Sequence, residues 1–308
     1  MGAFIVRRLI YSLVIILGAS IAAFSLIRIV PGDPARIMAP NASEEQLATI
    51  REELGFDRPI PVQFVDFVKS AIKGDFGHSA FLKEDVGTVI AEGLPYTLRL
   101  ALTALALALI VGVTLGTIAA LFQDRFLDRA ILTIAVLGQS MPAFWFGLVL
   151  ILIFSVRLGW FPSFGYKGPK YLILPAVTLA ISLLATLIRS TRLVMVDVLA
   201  QEYVKAARAR GLRRRTVVFR HAIPNILVPL LTVVGVQLGY LLGGAVVVEA
   251  IFNVPGIGLT ILNAVLRRDY PVVQAVTILM AGGFVLINTI IDISYGALDP
   301  RIRREMTR

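Results

Sequence analysis

The chain has 308 residues, 57% of them hydrophobic and 16% charged, with a mean hydropathy of +0.82 and a formal net charge of +10. That balance is too apolar for a water-soluble domain and implies several membrane spans. With no cysteine, and with His78 and His221 in separate polar stretches, the residues assemble neither a disulfide, nor a metal site, nor a catalytic acid–base pair.

At the N-terminus Arg7 and Arg8 precede an apolar run from Leu9 to Val30. The run is too long for the apolar core of a signal peptide and long enough to cross a bilayer, so it reads as a retained first helix. Between Pro31 and Leu94 lies a polar loop that should be folded. Ser43 and Gln46 form a capping box, Glu44 and Glu45 favour the positive end of the helix dipole, and Gly55 stops the helix. A second amphipathic helix should follow Pro59 and Pro61, its apolar residues Val62, Phe64, Val65, Phe67 and Val68 packing on the outer ends of the spans, before Gly74.

Further apolar windows occur at 96–122, 130–156, 172–195, 226–249 and 273–296, which makes six spans in all. Pro142 and Pro175 should kink or end their helices unless neighbouring groups satisfy the freed carbonyls. Lys and Arg concentrate in the segments that a six-span path leaves on the side of the termini, so both termini should be cytoplasmic.

The largest basic concentration, Lys205, Arg208, Arg210, Arg213, Arg214, Arg215 and Arg220, lies between the fourth and fifth windows and is excluded from hydrocarbon. This placement accounts for the net charge without nucleic acid. Two readings remain open for the segment: a solvated positive-inside loop meeting lipid headgroups, or a docking helix in which Ala206 and Ala207 allow close approach, Gly211 ends the helix and Pro224 marks re-entry. Gln139, Gln237, Asn288 and Asp292 lie within windows, where they either line a translocation path or make interhelical hydrogen bonds, the latter favoured for Asp292. Arg28 and Arg99 sit at outer boundaries and should snorkel. Gly235, Gly239, Gly243 and Gly244 offer close helix approach. From Glu249 through Asn253 to Gly258, Pro255, Gly256 and Gly258 break a helix, forming either a re-entrant turn or an interfacial loop.

Ala206-Ala207, Gly211 and Pro224 resemble, at their spacing, the EAA loop of binding-protein-dependent ABC importer permeases. Lys205 stands where that family has a glutamate, with Glu202 one turn upstream, and His221 and Ile223 replace the usual isoleucine and leucine. Pro31–Arg36, Gly74–Ser79, Met141–Trp145, Leu158–Pro162, Val248–Gly258, Arg268–Pro271 and Asp299–Arg301 are similar, in order and spacing, to the dipeptide, oligopeptide, glutathione and nickel permeases, specifically the B-type subunit with a long first outside loop. The resemblance implies an all-α integral membrane protein of the type I ABC importer (MetI-like) permease fold, with six transmembrane helices and a folded extracytoplasmic loop after the first. It implies three regions: 1–94, first helix plus extracytoplasmic loop; 95–296, transmembrane core with a cytoplasmic coupling loop at 196–225; and 297–308, a basic cytoplasmic tail.

It further implies a prokaryotic inner-membrane subunit with a second homologous permease, two ATP-binding cassette subunits, an extracytoplasmic substrate-binding protein and membrane lipid as partners. ATPase coupling would fall to Glu202, Ala206, Ala207, Arg210, Gly211 and Pro224, and the path or outer gate to Gln139, Gln237, Glu249, Asn253 and Asn288. The chain has no phosphate-cradling G-x-x-x-x-G-K-[ST] loop, so ATP and Mg belong to partner subunits and this chain is not itself an enzyme. The competing reading is a stand-alone secondary carrier or channel for small polar solutes, which would usually show a central carboxylate or an inverted repeat.

Overall fold

The computed structural model describes residues 2–29, 33, 35–36, 42–53, 55, 57–79 and 81–298. Pro31, Gly32, Pro34, the Asp299–Arg301 segment and the basic tail from residue 299 lie outside the described residues, as do the side chains of Arg28 and Asp292.

Helices dominate the described chain, which has one isolated antiparallel bridge, between His78 and Asp85. In order these are α1 (Gly2–Ile29), α2 (Glu44–Glu53), α3 (Ile60–Ile72), α4 (Val86–Leu121), α5 (Phe126–Ser140), α6 (Ala143–Leu150), α7 (Ile173–Leu199), α8 (Glu202–Ala209), α9 (Ile223–Phe252), α10 (Ile257–Arg267) and α11 (Tyr270–Leu298). On length and composition, Val86–Leu121, Pro169–Leu199 and Tyr270–Ile291 can each cross a bilayer, and counting each bent helix pair as one span raises the number to as many as six. Within α1 the apolar stretch Ile10–Ser25 is shorter than these.

The predicted span at 130–156 is not one straight helix. It is broken at Met141-Pro142, where α5 and α6 bend by 101°, and its last turns, Ile151–Arg157, are π-helical. Proline explains the break: its ring displaces the preceding turn and it has no amide to donate. Pro175 acts differently. It stands in the first turn of α7, where a helix tolerates a missing donor, so α7 runs on unbroken to Leu199.

The helices group into two compact units, residues 1–97 with 255–286, and residues 98–254 with 287–308. In the first unit the Ser43 capping box is formed: Ser43 N–H donates to Gln46 Oε1 at 2.9 Å and Gln46 N–H to Ser43 Oγ at 3.3 Å. Gly55, at φ +66°, ends α2. Arg51 of α2 binds Asp33 through Nε at 3.0 Å, and this guanidinium holds the Asp33 carboxyl below its usual range. Phe64 and Phe67 of α3 close on Phe24 of α1, with ring centroids 5.2 and 5.9 Å apart, while Val62 and Val65 remain exposed. The core of this unit joins Val86 to Ile257, Ala264, Val272, Ala275 and Val276.

The second unit is built on α7, packed against α5, α6 and α9. Gly112 and Gly116 of α4 meet α7 at Leu187, Ile188 and Thr191. A Cβ at Gly116 would lie 2.6 Å from Thr191 Cβ and 2.7 Å from the Ile188 carbonyl oxygen, so only glycine permits this approach. On α9 the glycines differ. Gly235 faces Ile291 and Gly244 faces Leu179, whereas Gly243 has open space.

Candidate functional site

The segment after α7 forms a short, two-faced helix. Gln201, in extended conformation, starts α8. Val204 and Ala207, three residues apart and therefore on one face, are buried with Val217 and Leu199. The opposite face exposes Glu202, Lys205, Ala206 and Ala209, with Arg208 and Arg210 flanking it. The two adjacent alanines thus lie differently: Ala206 is exposed, while Ala207 is buried against its own chain. Lys205 Nζ donates to Glu202 at 2.8 Å, an exposed pair one turn apart. Partial burial pushes the Tyr203 hydroxyl above its ordinary pKa, so it stays protonated.

Arg210 caps α8, and Gly211 follows at φ +76°, where any other L-residue is strained. The chain then turns through Arg214–Thr216 and a π-helical stretch, Val217–Ala222, into α9, whose first turn contains exposed Pro224. Arg214 fastens this return limb. Its Nη2 donates to the Leu121 carbonyl at the end of α4 at 2.7 Å, and its guanidinium lies 5.8 Å from the Phe122 ring centroid. A cation at the carbonyl end of a helix also meets the negative end of the helix dipole.

A second clamp lies nearby in sequence, at the α4–α5 turn. Asp128, 2% exposed, receives Nε and Nη2 of Arg192, both at 2.6 Å, and the Asp124 amide at 2.9 Å. Sequence reasoning missed this pair. Its partners stand 64 positions apart, and the one local signal was an acid in the first turn of α5.

The polar residues predicted for a path are differently placed. Gln139 is exposed and accepts from Arg189 Nη2 at 3.1 Å. Gln237 and Asn288 are half-buried. Glu249 is 0% exposed, whereas Asn253 is exposed at φ 50° and ends α9. There Val254 N–H reaches the Glu249 carbonyl at 2.9 Å and Asn253 N–H the Ala250 carbonyl at 3.4 Å, a Schellman closure. Gly165 N–H adds a bond to the Phe252 carbonyl at 2.8 Å. In the other unit, Ile257 N–H at the start of α10 donates to Thr97 Oγ1 at 2.8 Å, over Gly93. Helix α9 ends and α10 begins where Pro255 and Gly256 were expected to break the chain.

Residues 112–304 match the family described as binding-protein-dependent transport system inner membrane component, and residues 1–101 match its N-terminal membrane component. The chain is 40% identical to the probable peptide ABC transporter permease protein y4tP of Sinorhizobium fredii, over 98% of this chain and all of that protein. It is also 40% identical to the glutathione transport system permease protein GsiC of Escherichia coli K12, over 97% of this chain and 98% of that protein. Among solved structures it is similar in fold to the inward-facing MetNI methionine ABC transporter, with a TM-score of 0.59, 18% identity, and coverage of 68% of this chain and 96% of that one.

Proposed function

Because the chain belongs to the family of binding-protein-dependent transport system inner membrane components, we propose that it is the translocation subunit of an ATP-driven importer for di- or oligopeptides or glutathione. The substrate class rests on the peptide and glutathione relatives, which this chain matches over nearly its whole length. Those relatives lend no support to a stand-alone carrier or channel. ATP and Mg act on partner ATPase subunits; a second, homologous permease, a substrate-binding protein and the surrounding lipid complete the assembly.

In this reading six spans cross the inner membrane with both termini in the cytoplasm. Residues 1–94 form the first span and an extracytoplasmic loop, 95–296 the transmembrane core, and 297–308 a basic tail. The coupling loop, 196–225, docks to an ATPase through α8. The observation that carries this role is the two-faced α8, seated on its own chain by Val204 and Ala207 and open outward at Glu202, Lys205, Ala206 and Ala209. Arg210 and Gly211 set its end and Pro224 starts the next span. Motion of the docked partner passes into the membrane because α8 packs on Val217 and Arg214 grips the end of α4. Gln139, Gln237 and Asn288 are the candidates for the path. Asn253 belongs to the outer mouth, and buried Glu249 supports that mouth from behind.

Affinity purification of the tagged chain in mild detergent, followed by quantitative mass spectrometry, tests the reading. Recovery of another six-span permease with Walker-motif ATPases is expected. Recovery of this chain alone, in uniform particles that transport without ATP, would overturn it.

A further inference from the structure

Two sequence segments, Gly74–Ser79 and Arg268–Pro271, have no part in the function proposed above, yet the structure joins them. Ser79 and Asp269 are 2% and 3% exposed and 190 positions apart. Ser79 Oγ donates to Asp269 Oδ2 and accepts the Leu82 amide at 2.8 Å, while the Phe81 amide reaches the same carboxylate oxygen at 3.4 Å. Further backbone bonds flank this contact. Ser79 N–H bonds the Glu84 carbonyl at 2.9 Å, Val86 N–H bonds the Gly77 carbonyl at 3.0 Å, and Lys83 takes φ +56°. Arg267 lies over the Phe81 ring, 3.4 Å from its centroid.

On the other side of the contact Asp269 is the joint between two helices. Its N–H donates to the Ala264 carbonyl at 2.8 Å, closing α10, and its carbonyl accepts Val273 N–H at 3.1 Å, opening α11. Helix α10 is held at its far end by the Ile257–Thr97 bond. The carboxylate is also costly where it stands: Oδ1 is buried and has no hydrogen-bond partner among the described residues. A buried carboxylate at such a joint calls for a reason beyond filling space. The tip of the turn keeps Phe81 and Leu82 exposed, a free face on which another protein can act.

We propose that Asp269 is a positioning residue that ties the turn 77–85 to the α10–α11 corner, so that a docked extracytoplasmic binding protein moves α10 through it. This rests on the importer reading and on the outward placement of the turn. Coupling between sites requires an element with two arrangements that both sites bias, and the proposal assigns that part to α10.

The test uses the whole transporter in lipid nanodiscs with the binding protein recovered alongside it. Asp269→Ala is expected to leave basal ATP hydrolysis unchanged and to lower its stimulation by the binding protein at least about fivefold, the low end of an allosteric coupling. Asp269→Asn, which keeps an acceptor for Ser79, should retain most of the stimulation. The chain has no cysteine of its own, so the pair Ser79→Cys with Asp269→Cys can be bridged by a short bifunctional thiosulfonate. Stimulation should return when the bridge forms and fall again on reduction. Unchanged stimulation in Asp269→Ala, or indifference to the bridge once it has formed, would overturn the proposal. If wild-type complex hydrolyses no ATP, or ignores the binding protein, the importer reading itself fails.

Discussion

Asp128 and Arg192 form a bidentate, largely buried polar tie in the second unit, and removing either partner should have unequal effects. The carboxylate is 2% exposed and the guanidinium 22%, and the pair is bidentate, with both distances 2.6 Å. Breaking a buried pair costs about 3–5 kcal/mol, because the remaining charge is left uncompensated. Arg192→Leu strands the more enclosed charge and should fall in that range. Asp128→Asn strands the more exposed one. Arg192 then retains Asp124 at 3.7 Å, and the amide oxygen can still accept the Asp124 N–H, so about 2 kcal/mol is expected on the same principle. The double variant Asp128→Leu with Arg192→Leu leaves neither charge of the buried pair stranded and should cost less than the sum of the corresponding single variants by at least about 1 kcal/mol, the signature of a directly coupled pair. Equilibrium unfolding of the purified chain in mixed detergent micelles, followed by tryptophan fluorescence, measures these differences. Additive costs, or Arg192→Leu no worse than Asp128→Asn, would refute the burial argument.

Gly211→Val should place a β-branched residue at φ +76°, a strain of about 1–2 kcal/mol. With α8 ended wrongly, transport should fall while the ATPases still bind or still hydrolyse; normal uptake at wild-type expression, measured in vesicles, would count against it. Gly116→Ala forces a Cβ into Thr191 and the Ile188 carbonyl and should destabilise the chain by about 1–3 kcal/mol in the same unfolding assay, whereas Gly243→Ala, facing open space, should not. For Asp33 the sign follows from its depressed pKa. Its pairing with Arg51 is complete above the ordinary aspartate value of 3.8 and is lost as pH falls through the lower folded value. Hydrogen exchange in α2 should therefore quicken below that pH, and Arg51→Ala should remove the dependence.

What was legible in the sequence is what the bilayer and local backbone chemistry decide. Long apolar windows become helices because lipid leaves no other partner for backbone amides, and the Ser43–Gln46 cap and the break at Pro255-Gly256 need only neighbouring residues. Residue pairs distant in sequence were not legible: Asp128 with Arg192, Ser79 with Asp269 and Arg214 with the Leu121 carbonyl have no periodic signal. Nor were the π-helical stretches at 151–157 and 217–222, which shift the helix register without a local sequence mark. The alanine pair lies between these cases. Successive helical residues point about 100° apart, and burial divides this pair: Ala207 lies with Val204 against its own chain while Ala206 is exposed.

That division of faces bears directly on the coupling role proposed for α8. If α8 met its partner with both alanines, it would have no close seat on its own chain, and motion at the docking surface would be absorbed by a loose loop. With Ala207 inward, α8 is held against Val217 at the head of the limb leading into α9, and Arg214 joins that limb to the end of α4. In the coupling role proposed for α8, its displacement would load two long helices together, one through apolar packing and the other through a charged hydrogen bond. Arg214→Ala should separate the two routes, leaving the α8–Val217 contact in place while freeing the end of α4.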